Sequence, residues 1–299
     1  MSEELLCVSL SDIRLPPPSR MKLFHGTSKV RCRGKCVQTR DCGMGHGVMV
    51  MIALPISLFC IFVAADIHAS VVGGALIFYV LLYAVVLLGT NTDPGVCTPS
   101  LTEPPLQVCE EAAGEPRSVR GMVLNPHDVI ELVGPHKDNV YIRRYCFTCK
   151  IVRPPQTSHC PTCDYCVRGF DHHCGVLGIC VGQRTWRYFT LFVCLAWLSC
   201  LYVFSFSLYF LISTFTDNSY GKGRRECSIG LMIFTGCVGC SLSGLAGHYL
   251  YLSAVNKTIR DEHHGLHSYY DNAVGNPFDE GCPTNCWIKM CRTTPSEVV

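Results

Sequence analysis

Between Cys146 and Cys180 the chain reads Cys146-x2-Cys149-x9-His159-Cys160-x2-Cys163-x2-Cys166-x4-Asp171-His172-His173-Cys174-x5-Cys180. Zinc takes four tetrahedral nitrogen or sulfur ligands, and a two-residue gap between cysteines forms a tight turn that aims both thiolates at one ion. Seven cysteines and three histidines make ten candidate ligands in this stretch, whereas two closed tetrahedral sites need only eight. Two residues are left over, and spacing alone does not say which two. A thiolate inside a closed zinc shell is poorly available for other chemistry, so a spare cysteine beside a spare histidine would be a nucleophile and its base.

The compartment decides what such thiols become. The chain holds 22 cysteines in 299 residues, which in a small secreted protein would suggest a disulfide framework. Its first 47 residues are polar and carry no signal-peptide pattern, so reduced thiols or metal sites are the expectation. Metal then organises a segment that has few core-forming residues of its own. Hydrophobic residues make up 48% of the chain and charged ones 16%, against about 25% charged in soluble domains. A membrane follows. The formal net charge of +2 lacks the basic excess that marks nucleic-acid partners, and none is expected.

Four apolar runs must position the cysteine-rich segment: Val48–Ala65, Val71–Leu88, Phe189–Phe215 and Ile229–Val255. Each is near the roughly 17–25 residues that cross a bilayer as a helix. They pair into two hairpins, the first turning around Asp66 and His68, the second over Thr216–Ser228. Lys and Arg number 8 before the first run, none in the first turn, 10 in the middle segment, 3 in the second turn and 4 in the tail. The positive-inside rule therefore puts both termini and the middle segment in the cytosol, with Lys222, Arg224 and Arg225 as an outnumbered dissent. Pro55 reads as a kink inside the first span. Gly239, Ser243 and Gly247 form a small-residue row for close helix packing. Leu15–Ser19 and Thr98–Pro116 read as surface linkers.

The expected fold is thus an α-helical polytopic membrane protein with four transmembrane helices and a cytosolic zinc-binding cysteine-rich domain between spans two and three. Its expected parts are a cytosolic N-terminal region (1–47), a first transmembrane hairpin (48–89), a cytosolic linker (90–144), the cysteine-rich domain (145–188), a second transmembrane hairpin (189–255) and a cytosolic tail (256–299).

From the second span to near the C-terminus the chain resembles the DHHC-type protein S-acyltransferases. The resemblance rests on Asp171-His172-His173-Cys174 within Tyr145–Cys180, on Cys180-Val181-Gly182 and Arg187-Tyr188-Phe189, on Asp93-Pro94-Gly95 after the second span, and on Asn276-Pro277-Phe278-Asp279 with Asn285 in the tail. It implies one zinc on Cys146, Cys149, His159 and Cys166, and a second on Cys160, Cys163, His173 and Cys180. His172 and Cys174 are then the residues left over. It also implies that Cys174 takes a long-chain acyl group such as palmitoyl from acyl-CoA and passes it to cytosolic cysteines of membrane-associated proteins. His172 would be the base, with Asp171 fixing the imidazole tautomer; a loop cap is the plainer role for Asp171. Arg143, Arg153, Arg184 and Arg187 are candidates for the CoA phosphates, with contact to solvent or lipid headgroups as the alternative.

The stretches Cys149–Pro155 and Gly244–Asn256 are similar to the branch that includes the Ras acyltransferases, some of which work with a small accessory subunit. That similarity implies Ras-like small GTPases among the substrates, an accessory subunit, and a Golgi or endoplasmic reticulum location. The chain departs from the family where Pro-Trp normally follows the reactive cysteine and Asn precedes the last zinc ligand: Gly175, Val176 and Ile179 stand there. The Thr-Thr-x-Glu motif appears as Thr258-Ile259-Arg260-Asp261. Cys282, Cys286 and Cys291 carry no assignment. Two other classes compete: a zinc-stiffened scaffold that no longer transfers acyl groups, and a metal transporter. The transporter is disfavoured because the cluster lies outside the spans, where His248 is the main ionisable exception.

Overall fold

The four apolar runs form four helices long and apolar enough to cross a membrane: α1 (Gly43–Ile67), α2 (Ala69–Thr90), α3 (Trp186–Ser213) and α4 (Lys222–Ala254). This computed structural model describes residues 28–31, 36–39, 41, 43–99, 118–119, 122–123, 129–133, 139–215, 222–263 and 276–292. The linker expected at Leu15–Ser19, residues 100–116 of the second linker and residues 216–221 of the second turn lie outside the described residues. Most helix ends reach past the apolar runs because hydropathy marks only the part matched to hydrocarbon, while helical hydrogen bonding continues into the interface.

Lys222, Arg224 and Arg225 thus become the first turn of α4. Arg224 pairs with Asp66 of α1, and Arg225 donates to the carbonyl of Thr214 at 2.7 Å. The two turns are tied together at one end of the bundle, so the dissenting charges have a structural use. The helix runs through Pro55 and widens into a π-turn at Cys60–Ala64. The α1–α2 connection is the single residue His68, whose ring nitrogen accepts from the Ser70 amide and caps α2. Of the two glycines in the small-residue row, Gly239 approaches a neighbour, 3.3 Å from Cys200 at its would-be Cβ, while Gly247 has nothing within 4 Å. The α3–α4 contact instead continues through Gly236 against Phe204.

Short antiparallel hairpins build the cysteine-rich segment: Tyr145–Cys146 with Ile151–Val152, Ser158–Cys160 with Tyr165–Val167, and His172–Cys174 with Ile179–Val181. Val96–Cys97 adds a third strand to the middle hairpin. A further hairpin, Lys29–Arg31 with Cys36–Gln38, lays Val37 into the core made by Cys160, Cys163, Tyr165 and Cys180. Asp93-Pro94-Gly95 joins this layer to the helices. Asp93 accepts the amides of Gly95 and Val96 at 2.9 Å each and pairs with Arg184 at 3.3 Å. Gly182 is obligatory here, since a Cβ would lie 2.5 Å from the Pro94 carbonyl oxygen. Leu177, Ile179 and Val181 share one buried cluster with Met49, Leu82, Val86 and Trp186, so the segment that follows Cys174 is packed directly on the helix bundle.

Beyond α4 follow α5 (Ile259–His263) and α6 (Cys282–Met290). The last carbonyls of α4 find partners in the tail, as helix ends require. Asn276 donates to Val255 and Asn285 to Ala254, both at 2.7 Å, and Asn256 returns the bond to the Phe278 carbonyl at 2.7 Å.

Candidate functional site

Each metal cluster is assembled by turns. The residue after Cys146-x2-Cys149 and the residue after Cys160-x2-Cys163 are left-handed, Lys150 at φ 55° and Asp164 at φ 60°, which closes each turn and leaves both thiols on one side. His159 Nδ1 lies 3.6, 3.4 and 4.0 Å from the Sγ atoms of Cys146, Cys149 and Cys166. His173 Nδ1 lies 3.9, 3.4 and 3.5 Å from those of Cys160, Cys163 and Cys180. In both sets all four donor atoms are within 4.8 Å of one another. A zinc tetrahedron with bonds of about 2.0–2.3 Å has donor–donor edges of about 3.3–3.8 Å, so the two sets can hold metal ions and fit zinc. The far nitrogens of the histidines face carboxylates, His159 Nε2 toward Asp164 at 3.5 Å and His173 Nε2 toward Asp41 at 3.6 Å. That arrangement orients a metal-binding imidazole. Asp41 was not a sequence candidate.

Cys174 and His172 belong to neither set. The hairpin register puts His172 opposite Val181, His173 opposite Cys180 and Cys174 opposite Ile179. Alternation along the strand sends His173 to the metal cluster and its two neighbours to the opposite face. His172 Nδ1 is 2.7 Å from Asp171 Oδ2. Tyr249 of α4 donates to the same oxygen at 2.7 Å, and the Ile259 amide donates to Oδ1 at 2.5 Å. His172, Tyr249 and the Ile259 amide thus all converge on the Asp171 carboxylate. The His172 ring packs edge-on against Phe189 at 5.3 Å.

Electrostatics follow from that packing. Burial disfavours the Cys174 thiolate, yet contacts with His172 and with the Leu177 and Val176 amides outweigh it and hold the thiol below its ordinary value. Burial also opposes the His172 cation, but Asp171 and then Cys174 push its pKa up to about 9. The two shifts act in the same sense, each group favouring the charged form of the other.

The residues that depart from the family pattern have local explanations. Thr258 and Asp261 cap the start of α5 reciprocally, at 3.1 and 3.0 Å. Ile259 serves through its backbone amide, which the loss of a threonine side chain does not disturb. Gly175 has open space where a Cβ would be. With Val176 it lines the mouth of a cavity of about 710 Å³. The cavity runs between the helices past Met51, Pro55, Phe192, Ala196 and Leu242 to Val203 and Phe234.

The four candidate arginines divide. Arg184 is engaged by Asp93 at 3.3 Å, and Arg143 donates to the carbonyls of Arg153 and Val152. Arg187 lies over the Tyr188 ring at 5.0 Å. The buried Nε atoms of Arg153 and Arg187 meet no acceptor among the described residues.

A family model described as DHHC palmitoyltransferase matches residues 139–265. The chain is 31% identical over 286 residues to palmitoyltransferase ZDHHC9 of Danio rerio, covering 92% of this chain and 72% of that protein. It is 29% identical over 294 residues to palmitoyltransferase ZDHHC14 of Mus musculus, covering 91% of this chain and 57% of that longer protein. It is 26% identical over 309 residues to palmitoyltransferase ZDHHC9 of Homo sapiens, covering 98% and 81%.

Proposed function

The chain belongs to the DHHC palmitoyltransferase family, and on that footing we propose that it is a protein S-acyltransferase moving a long-chain acyl group from acyl-CoA to protein cysteines through Cys174. The observation that carries this reading is the spare Cys174–His172 pair, outside both metal clusters and directly preceding Gly175 and Val176, which line an apolar cavity between the helices. A scaffold without catalysis has no use for a buried, fully hydrogen-bonded Asp171 aimed at that histidine.

Zinc, when bound in the two clusters, supplies rigidity to the hairpins and no reacting group. The chemistry belongs to the chain. The Cys174 thiolate attacks the thioester carbonyl, the bond from that carbon to the CoA sulfur breaks, and His172 gives the departing CoA thiolate a proton. A substrate cysteine then loses its proton to His172 and attacks the Cys174 thioester, restoring the enzyme thiolate. Asp171 holds the imidazole in place and stabilises its cation through both half-reactions. Without any acceptor protein, one CoA per chain should be released in a rapid burst, followed only by slow hydrolysis. Steady CoA release with no burst and no acyl-protein would contradict a two-step mechanism.

His172→Ala should lower the loading rate by about 10²–10⁴-fold, the usual worth of a positioned acid–base group. Its rate should also rise with pH only at higher values than for the wild type, because the thiol loses the partner that lowers its pKa. A pH–rate profile unchanged by the substitution would remove His172 from the reaction.

The acyl chain occupies the cavity. Its α3 lining runs from Phe192 to Val203, about 16 Å at 1.5 Å per residue, close to one leaflet of a roughly 30 Å hydrocarbon core. A long-chain tail matches that depth. Val203→Phe at the deep end should shift loading from palmitoyl-CoA toward lauroyl-CoA by about tenfold, which competition between the two labelled thioesters measures. An unchanged ratio would place the chain elsewhere.

Arg153 and Arg187, whose Nε atoms meet no partner among the described residues, are the better placed of the four arginines to meet CoA phosphates. Acceptors are membrane-associated proteins with cytosolic cysteines, Ras-like GTPases among them, and a small accessory subunit joins the enzyme. The termini and site face the cytosol of Golgi or endoplasmic reticulum membranes; the tally of Lys and Arg supports that orientation.

A further inference from the structure

The tail helix α6 carries a charged residue into its contact with the bundle. Lys289 is 8% exposed, and its Nζ lies 4.3 Å from the centre of the Trp186 ring. Beyond that ring, the charges that act on it are those of Asp261 and, next, Asp171. An ammonium group out of water is unfavourable unless opposite charge or a π face offsets it. Here the offset includes a residue of the catalytic set.

The contacts continue from Trp186. Its Nε1 donates to Ser253 at 2.9 Å, its ring lies 5.2 Å from that of Tyr249, and the Tyr249 hydroxyl donates to Asp171 at 2.7 Å. Asp171 in turn holds His172 at 2.7 Å. Asp261, the other acid near the lysine, fixes the start of α5, from which the Ile259 amide reaches Asp171. Both routes from the lysine end on the same carboxylate. Asn285 on the same helix anchors α6 to the Ala254 carbonyl at 2.7 Å, so the position of the cation is set by tail docking.

We propose that Lys289 is a positioning residue: its buried cation over Trp186 balances Asp261 and Asp171 and keeps Asp171 aligned with Tyr249 and His172, making docking of the tail helix a condition for acyl loading. The inference rests on the acyl-transfer reading of Cys174. A neutral group of similar shape would fill the space yet remove the cation that faces Asp261 and leave Asp171 with His172 alone.

The test compares full-length wild type, Lys289→Met and Lys289→Arg for zinc content, elution as a monodisperse species, and loading rate at varied palmitoyl-CoA. Lys289→Met should keep its zinc and its KM but load roughly tenfold more slowly at saturation. Lys289→Arg should recover most of that rate, which a purely space-filling role does not predict. Wild-type loading by Lys289→Met, or equal defects in Met and Arg variants, would overturn the proposal. Should Lys289→Met not fold, Lys289→Gln, also neutral, replaces it in the comparison. Slow loading by that folded, zinc-loaded variant supports the proposal, and wild-type loading overturns it. Failure of the wild type to load at Cys174 would instead remove the acyl-transfer reading itself.

Discussion

Replacing Cys163 with alanine abolishes folded protein, not activity alone. Its thiol sits 3.4 Å from both His173 Nδ1 and Cys180 Sγ, at the centre of a donor set that is also a hydrophobic core with Val37, Val96, Tyr165, Val167 and Phe170. Structural zinc contributes roughly 10–16 kcal/mol of apparent binding free energy in small domains, while whole domains are stable by only about 5–15 kcal/mol. No local packing offsets the loss of such a ligand. The cysteine-rich segment shares a core with α1, α2 and α3, so its collapse exposes apolar surface at the membrane face. Metal analysis with size-exclusion chromatography should find less than two zinc ions per chain and an aggregated profile. A monodisperse Cys163→Ala protein with two zinc ions would show that the ligand set is wrong.

What the sequence made legible was local. Apolar runs and Cys-x2-Cys spacing are short-range signals, and they located the four helices and the ten candidate ligands; the division into two sets of four came from the family resemblance, and the structure draws the same two sets together. Helix ends were off by up to seven residues, as at Lys222 against Ile229, because charged interfacial turns are helical without being apolar. The role of Gly247 was misread, since a small-residue row says nothing about which helix lies opposite. Residues that act on the site from far away left no signal. Tyr249 and Ile259 stand 78 and 88 positions from Asp171, and Asp41 reaches His173 from ahead of the first helix. Ile259 looked like a lost hydroxyl and contributes an amide that every residue but proline has. Lys289 carried no signal in the sequence, and only the folded tail places it over Trp186.

Replacing Cys174 with alanine removes acyl loading entirely while leaving the fold intact. Cys174 is 7% exposed and contributes to the cluster with Leu177, Ile179 and Phe189, but it belongs to neither metal set. The change to alanine deletes one sulfur beside Gly175, which lines the cavity, a modest loss against the stability of the domain. The chemical loss is total, because the thioester forms on that sulfur. Gly175 and Val176, where the family has Pro-Trp, change how firmly the loop is held rather than which atom reacts.

The most direct measurement is therefore thioester-linked label on purified wild type and Cys174→Ala after exposure to radiolabelled palmitoyl-CoA, with zinc content checked in both. The account predicts hydroxylamine-sensitive label approaching one per chain on the wild type and background on Cys174→Ala, at two zinc ions per chain in each; equal label on the two proteins would contradict it.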